Sequence, residues 1–167
     1  IIAGLLTEVA GDLGVSITTA GNLVGVYALA VVPGALIITP FLMKRPPKLA
    51  LIVLLIFFVI GNVLSAWAPN YAVMLGGRIV AAFGHGGYFG IGAVLASSLV
   101  PKGKRASAVS ALFAGLTIAN VLGVPLGAFV GQQFGWRTVF WIISVIGIIA
   151  LAGLVLLIPR TEPEQGQ

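Results

Sequence analysis

The chain has 167 residues, of which 59% are hydrophobic and only 8% are charged, and its formal net charge is +5. A soluble domain carries about 25% charged residues, so this composition excludes an ordinary water-soluble fold. The chain has no cysteine, which excludes disulfides, thiol chemistry and thiolate metal sites, and one histidine with four carboxylates makes no convincing metal centre. We therefore expect neither a metal nor another cofactor.

Apolar segments of membrane-spanning length follow one another along the chain. A spanning helix needs about 20 consecutive apolar residues. The predicted spans are residues 18–42, 49–67, 71–100, 106–131 and 138–158. The ten-residue alternation of a membrane β-barrel is not visible. The sequence therefore predicts an all-α membrane protein with one helical bundle over residues 1–158.

The two ends of the chain do not form spans of their own. Residues 1–6 are apolar but too few to cross a bilayer, and we interpret them as the tail of a helix that begins upstream. Residues 159–167 are polar and contain proline, glycine and glutamate, which indicates the start of a cytoplasmic linker.

Most basic residues lie in the loops on one side of the predicted spans. Seven are on that side: Lys44, Arg45, Lys48, Lys102, Lys104, Arg105 and Arg160. The opposite side has Arg137 alone, together with Glu8 and Asp12. The positive-inside rule places the seven in the cytoplasm, and both ends of the bundle with them. Because basic residues spaced between apolar spans set topology in this way, we expect no nucleic-acid partner.

The predicted span 71–100 carries Arg78 and the only histidine, His85, at membrane depth. An ionisable side chain there costs roughly 2.5–3.5 kcal/mol on the insertion scale, so it usually faces a bundle interior or an aqueous path. Seven residues separate the two, which places them on one helix stripe with Phe89. We predict that this stripe faces a transport cavity and that Arg78 and His85 serve proton coupling. The structural alternatives are that Arg78 binds backbone carbonyls and that His85 bridges neighbouring helices.

Three further side chains are candidates for lining a substrate cavity. Tyr27 and Asn120 fall near mid-membrane on their predicted helices, and Phe89 shares the stripe of Arg78. The alternative for Tyr27 and Asn120 is an interhelical hydrogen bond, and the alternative for Phe89 is ordinary packing.

The predicted helix 106–131 carries small residues at strict four-residue spacing: Gly115, Ala119, Gly123, Gly127 and Gly131. Such a ridge lets another helix approach backbone to backbone. Pro125 removes one helical hydrogen bond and, with the glycines, makes bending easier. The spacing predicts a closely packed, flexing helix, and the alternative is packing alone. The bulky segments 51–60 and 138–158 are instead predicted to face lipid.

The segment Gly123-Val-Pro125-Leu-Gly127-Ala-Phe-Val-Gly131, preceded by Gly115, resembles the fifth-helix antiporter motif of major facilitator superfamily drug/proton antiporters. The most similar branch is the arabinose-efflux-permease-like one. Leu13-Gly-Val-Ser16, the fourth-helix Arg78 and Gly135-Trp-Arg137 agree with this resemblance. It implies the N-terminal six-helix half of a twelve-helix, alternating-access transporter, with most of the first helix and the C-terminal half outside this chain.

The spacing of two prolines and two arginines indicates that the six helices form 3+3 inverted repeats, and the alternative is coincidence. Pro33 precedes Arg45 by twelve residues, and Pro125 precedes Arg137 by the same number, as inverted repeats would place them.

The first basic loop departs from the pattern of the family's cytoplasmic-loop motif. Thr39 and Met43 stand at the positions of its glycine and aspartate, and only Lys44 and Lys48 keep its basic character. A charge latch that depends on that aspartate is therefore in doubt.

These observations predict a proton-coupled efflux transporter for small organic compounds, drug-like or sugar-like, in the bacterial inner membrane. Its partners would be the substrate, protons, the lipid bilayer and a second six-helix half. The main alternative is a non-transporting membrane scaffold or assembly module. An intramembrane enzyme is disfavoured because the sequence places no Ser/His pair and no paired carboxylates at membrane depth.

Overall fold

The structure is a computed structural model that describes residues 2–160, and every regular element within that range is helical. The elements are a 3₁₀ turn Ile2–Leu5, α1 Leu6–Leu13, α2 Ile17–Pro33, a π-helical turn Gly34–Ile38, α3 Thr39–Leu42, α4 Pro47–Trp67, α5 Tyr71–Ser98, a 3₁₀ turn Lys102–Lys104, α6 Arg105–Phe134 and α7 Trp136–Leu157. Five stretches are long and apolar enough to cross a bilayer: Ile17–Leu42, Pro47–Trp67, Tyr71–Ser98, Lys102–Phe134 and Trp136–Leu157. The predicted all-α membrane fold class is confirmed.

Capping side chains explain where two of the spans begin. The Ser16 hydroxyl accepts a hydrogen bond from the Thr19 amide (3.0 Å) at the start of α2. The Asn70 side-chain oxygen accepts one from the Val73 amide (3.0 Å) at the start of α5. Both bonds satisfy amides that have no partner in the first helical turn. Gly14 ends α1 with φ of 65°, a left-handed conformation that glycine adopts without steric cost.

The helix at the start of the chain is longer than expected. The sequence suggests a helix tail that ends near residue 6, whereas α1 continues to Leu13. Leu5 and Val9 are one turn apart and both fully buried, so the continued helix keeps one apolar face in the core.

The predicted span 18–42 is not a uniform α-helix. Pro33 ends α2, and the next five residues form the π-helical turn Gly34–Ile38. Proline has no amide to donate to the helical ladder. A local π turn is one way in which a membrane helix satisfies the freed backbone groups.

α5 is the central helix, because it contacts α2, α4 and α6. Its glycines let two neighbours approach its backbone. A side chain at Gly77 or Gly84 would overlap α4 near Gly61 and Leu54, and one at Gly86 would overlap the end of α2 and the π turn. Small residues permit such crossings. Close backbone packing among residues 2–160 therefore lies mainly on α5 and not on α6, where the ridge predicts it.

The prediction that residues 51–60 face lipid is wrong for one side of the helix. Leu51, Leu54 and Leu55 are buried, whereas Ile56 and Ile60 are exposed. α7 shows the same division into a buried and an exposed face. Lipid tails are as apolar as leucine, so an apolar sequence does not distinguish the core face of such a helix from its lipid face.

α4 and α7 run antiparallel, and each caps the C-terminal end of the other. The ammonium of Lys48, the second residue of α4, donates to the carbonyl oxygens of Val155 (2.8 Å) and Ile158. The guanidinium of Arg137, the second residue of α7, donates to the carbonyl oxygens of Ala66 (3.2 Å) and Ala68 (2.6 Å). Both cations complement the helix dipole and satisfy carbonyls without helical partners. We call the end with Lys48 the basic end.

Candidate functional site

Tyr27 of α2 and His85 of α5 form a partly buried hydrogen bond between the two helices. The Tyr27 hydroxyl oxygen and His85 Nδ1 are 2.8 Å apart. Gly86, the residue after His85, makes this distance possible, because it lets α5 touch the α2 backbone at Val31. Val31 lies one turn after Tyr27, so the close crossing and the hydrogen bond are parts of one contact.

Arg78 lies on the same α5 stripe and packs against aromatic faces. Its guanidinium carbon is 4.2 Å from the centroid of the Tyr27 ring and 5.6 Å from that of Phe140. Its Nε is buried and has no hydrogen-bond partner among residues 2–160. Asp12 lies elsewhere, where its carboxylate accepts a hydrogen bond from the Trp136 indole (3.0 Å). Aromatic rings, and no carboxylate of the described chain, thus partner the Arg78 charge.

The Tyr27–His85 hydrogen bond is compatible with either charge state of the histidine. When Nδ1 carries no proton, the Tyr27 hydroxyl donates to it, and when the imidazole is protonated, Nδ1–H donates to the hydroxyl oxygen. The hydrogen bond alone therefore does not define the charge state of His85. In the described part of the chain, no group of three or more potential ligands could hold a metal ion.

An aromatic row extends the site from α5 to α6. The Phe89 ring lies 5.7 Å from the His85 ring and 5.8 Å from the Phe113 ring, with which it is stacked at 21°. Tyr88 contacts the edge of Phe89 at 5.8 Å. Phe89 is therefore brought together with Arg78, Tyr27 and His85, through ring contacts that the sequence analysis does not identify.

Asn120, the remaining candidate for the cavity wall, does not join this cluster. It is exposed on α6 and forms no hydrogen bond with the other described residues. Phe113 lies two turns before it on the same face of α6. That seven-residue spacing is the signal by which Phe113 could have been found.

The predicted glycine ridge of α6 faces open space over its first part and is packed against other residues at its C-terminal end. A side chain at Gly115 or Gly123 would meet nothing nearby, whereas Gly127 and Gly131 are buried, and one at Gly131 would overlap Leu5. Pro125 does not interrupt the helix, which is continuous from Arg105 to Phe134. The irregular turn of the bundle instead follows Pro33.

The two lysines of the basic loop have different surroundings. Lys44 is exposed, with its ammonium 5.9 Å from the centroid of the Phe41 ring. Lys48 is partly buried and forms the cap of α7 described above. Of the two, Lys48 has the clearer structural role.

Comparison with known proteins identifies the family. All 167 residues match the model of the Major Facilitator Superfamily. The chain belongs to this family. The chain is also 44% identical over 159 residues to the uncharacterized MFS-type transporter YtbD of Bacillus subtilis (strain 168), and 43% identical over 157 residues to the inner membrane transport protein YdhP of Escherichia coli (strain K12). These alignments cover 95% and 94% of this chain and 40% of each relative.

A more distant relative has a name that refers to drug resistance. A chloramphenicol resistance protein of Streptomyces lividans is 32% identical over 158 residues, which are 95% of this chain and 40% of the relative. The chain thus spans about 40% of the length of the curated relatives that it matches. The family consists of transporters and not of enzymes, and the predicted resemblance to it and the multi-pass membrane class are confirmed.

Proposed function

We propose that the whole protein is a proton-coupled efflux transporter of small organic compounds, drug-like or sugar-like, and that this chain supplies its N-terminal half. Family membership and the relative named for chloramphenicol resistance support export of such compounds. The relative named as an inner membrane transport protein supports the bacterial inner membrane as its location. The charge asymmetry of the loops supports a cytoplasmic basic end.

The observation that carries the proposal is the contact of Arg78, Tyr27 and His85 inside the spans. An intramembrane arginine is retained at a cost of roughly 2.5–3.5 kcal/mol, which favours a functional role. A proton on His85 adds a second positive charge beside Arg78, because both side chains contact Tyr27. Repulsion between like charges is strong where water is scarce. Proton binding would therefore change the balance between two arrangements of the bundle, as coupling requires.

Substrate would contact the aromatic row and the open face of the bundle. Phe89 and Phe113 supply apolar ring surface next to the charged cluster, and Phe113 is 47% exposed. The exposed part of the α6 ridge, at Gly115 and Gly123, is where the second six-helix half would pack. Alternating access would then move the two halves relative to each other around this site.

Transport by the full-length protein in proteoliposomes under an imposed pH gradient tests the proposal. We expect Arg78→Ala to abolish proton-driven efflux of a panel of aromatic drugs while membrane insertion is retained. Arg105→Ala is the matched control, since it removes an arginine from the exposed start of α6. Retained efflux with Arg78→Ala would remove the assignment of Arg78. Efflux that does not respond to the pH gradient would contradict proton coupling, and absence of transport would favour the scaffold alternative.

A further inference from the structure

Asp12, Trp136, Phe140 and Arg78 form a continuous series of side-chain contacts that begins at the end of the bundle opposite the basic end. The Asp12 carboxylate accepts a hydrogen bond from the Trp136 indole (3.0 Å). The rings of Trp136 and Phe140 meet edge to face, with centroids 6.0 Å apart and planes at 84°. The centroid of the Phe140 ring is 5.6 Å from the Arg78 guanidinium carbon. We call these four residues the contact path.

Trp136 is held in place by contacts on two sides. It is 3% exposed, and a buried donor that loses its acceptor destabilises the protein, so the indole N–H needs the Asp12 carboxylate. The guanidinium carbon of Arg137 is 4.3 Å from the centroid of the Trp136 ring, and the same guanidinium donates to the carbonyl oxygens of Ala66 and Ala68. The position of the Trp136 ring therefore depends on α1 through Asp12 and on the end of α4 through Arg137.

Phe140 transmits this position to Arg78. It lies one turn after Trp136 on the same face of α7 and is 2% exposed. Side chains in a close-packed interior transmit strain to their neighbours, so a displaced Trp136 ring would displace the Phe140 ring. Arg78 contacts the rings of both Phe140 and Tyr27, and a cation–π contact depends on where the ring face lies. The place of the Arg78 guanidinium thus depends on Phe140.

Asp12 gives α1 a directional contact with α7. The buried side chains Leu5 and Val9 attach α1 to the core by apolar packing, which is not directional. A hydrogen bond requires a defined distance and angle. The Asp12–Trp136 bond therefore relates the position of α1 to that of the Trp136 ring.

We propose that Trp136 is a positioning residue for Arg78 and that Asp12 of α1 determines where Trp136 lies. The inference rests on the proposed function, because Arg78 is assigned there to proton coupling. When α1 moves relative to α7, Asp12 moves the Trp136 ring, the Phe140 ring follows, and the guanidinium of Arg78 shifts relative to Tyr27. A rearrangement at the end of α1 thereby changes the surroundings of the Arg78 charge.

Fluorine NMR of the full-length protein in nanodiscs tests the contact path without a transport assay. The reporter is 4-fluorophenylalanine at position 140. We expect Arg78→Leu and Asp12→Ala each to shift its resonance by more than the line width. Asp12→Asn keeps a side-chain oxygen that can accept from the indole, so it should restore the wild-type resonance. Glu8→Ala is the matched control, because it removes the carboxylate one turn earlier on α1 and should leave the resonance unchanged.

Transport by the full-length protein in proteoliposomes tests whether this positioning serves coupling. Efflux of the aromatic drugs driven by a pH gradient is compared with their exchange across the membrane in the absence of a gradient. We expect Asp12→Ala and Trp136→Phe to lower gradient-driven efflux by about two- to thirtyfold, the range for one side chain in a coupled network, and to leave exchange unchanged. A purely structural role would lower both activities in parallel.

The outcomes separate this inference from the proposed function. An unchanged fluorine resonance in Asp12→Ala, or an equal shift in Glu8→Ala, would overturn the link between Asp12 and Phe140. An unchanged resonance in Arg78→Leu would overturn the link between Phe140 and Arg78, and parallel losses of efflux and exchange would overturn the role in coupling. Wild-type efflux that does not respond to the pH gradient would contradict the proposed function, whereas the fluorine measurement would still decide whether Asp12 positions the contact path.

Discussion

Tyr27 makes two separable contacts, and two substitutions distinguish them. Tyr27→Phe removes the hydroxyl that is 2.8 Å from His85 Nδ1 but keeps the ring whose centroid is 4.2 Å from the Arg78 guanidinium carbon. Tyr27→Leu removes both contacts. An interhelical hydrogen bond in a membrane is worth about 0.6 kcal/mol on average and about 1.7 at most. A desolvated cation–π contact is worth about 2 kcal/mol.

We therefore expect Tyr27→Phe to lower the free energy of unfolding by about 0.6–1.7 kcal/mol and Tyr27→Leu to lower it by about 2 kcal/mol more. The measurement is reversible unfolding of the full-length protein in mixed micelles, followed by circular dichroism as denaturing detergent is added. Tyr88→Phe is the matched control, because the Tyr88 hydroxyl forms no hydrogen bond with the other described residues while its ring contacts Phe89. It should change stability by less than about 0.5 kcal/mol.

The same variants distinguish an effect on folding stability from an effect on proton coupling. If the Tyr27 hydroxyl positions the His85 proton, Tyr27→Phe should alter the pH profile of efflux, and Tyr88→Phe should not. Combining each Tyr27 variant with Arg78→Leu completes a double-mutant cycle that isolates the ring contact. Equal destabilisation by Tyr27→Phe and Tyr27→Leu would refute the cation–π account of Arg78. An unchanged pH profile in Tyr27→Phe would refute the positioning role of the hydroxyl.

Further substitutions test the caps, the crossings and the histidine. Arg137→Gln and Lys48→Gln should each lower the free energy of unfolding by about 1.5–3 kcal/mol, as measured by detergent unfolding, because each leaves helix-end carbonyls without a charged donor. Gly61→Leu should prevent folding, since its side chain would overlap the α5 backbone, whereas Gly115→Leu should leave folding intact and block efflux at the proposed contact with the second half. His85→Gln should flatten the pH dependence of efflux, because glutamine cannot bind a proton as the imidazole does, and a retained profile would exclude His85 as the titrating group.

Hydropathy and loop charge are sufficient to predict the class of the fold, because a bilayer imposes length and polarity on every segment that crosses it. The α-helical period likewise predicts that Arg78, His85 and Phe89 share a stripe. Their partners could not be predicted in the same way. Whether Tyr27 meets His85 depends on the rotation and crossing of α2, and these follow from the contact at Gly86 and the π turn. The rotation and the crossing angle of α2 cannot be obtained from a single sequence.

The glycine ridge of α6 illustrates a second limit. Four-residue spacing of small side chains indicates that a helix can be approached closely, but it does not say by which neighbour. Gly77 and Gly84 on α5 meet α4, whereas Gly115 and Gly123 on α6 meet open space among the described residues. Since the chain spans about 40% of its relatives' length, the surface that α6 leaves open is consistent with a neighbour supplied by the rest of such a protein.

The difference in packing between α6 and the other helices indicates which part of the site can move. α4, α5 and α7 are joined by backbone-level crossings and by the reciprocal caps of Lys48 and Arg137, so they have little freedom to move separately. α6 buries only Gly127 and Gly131 within residues 2–160. Arg78 and His85 on α5 therefore belong to the tightly packed part of the bundle, and Tyr27 is joined to it by the close crossing of α2 and α5 at Gly86. Among the described residues, the aromatic row crosses to α6 at Phe113. A shift of α6 would separate the stacked Phe89 and Phe113 rings before it disturbed the charged cluster, and would thereby alter the apolar wall while leaving the Tyr27–His85 hydrogen bond in place.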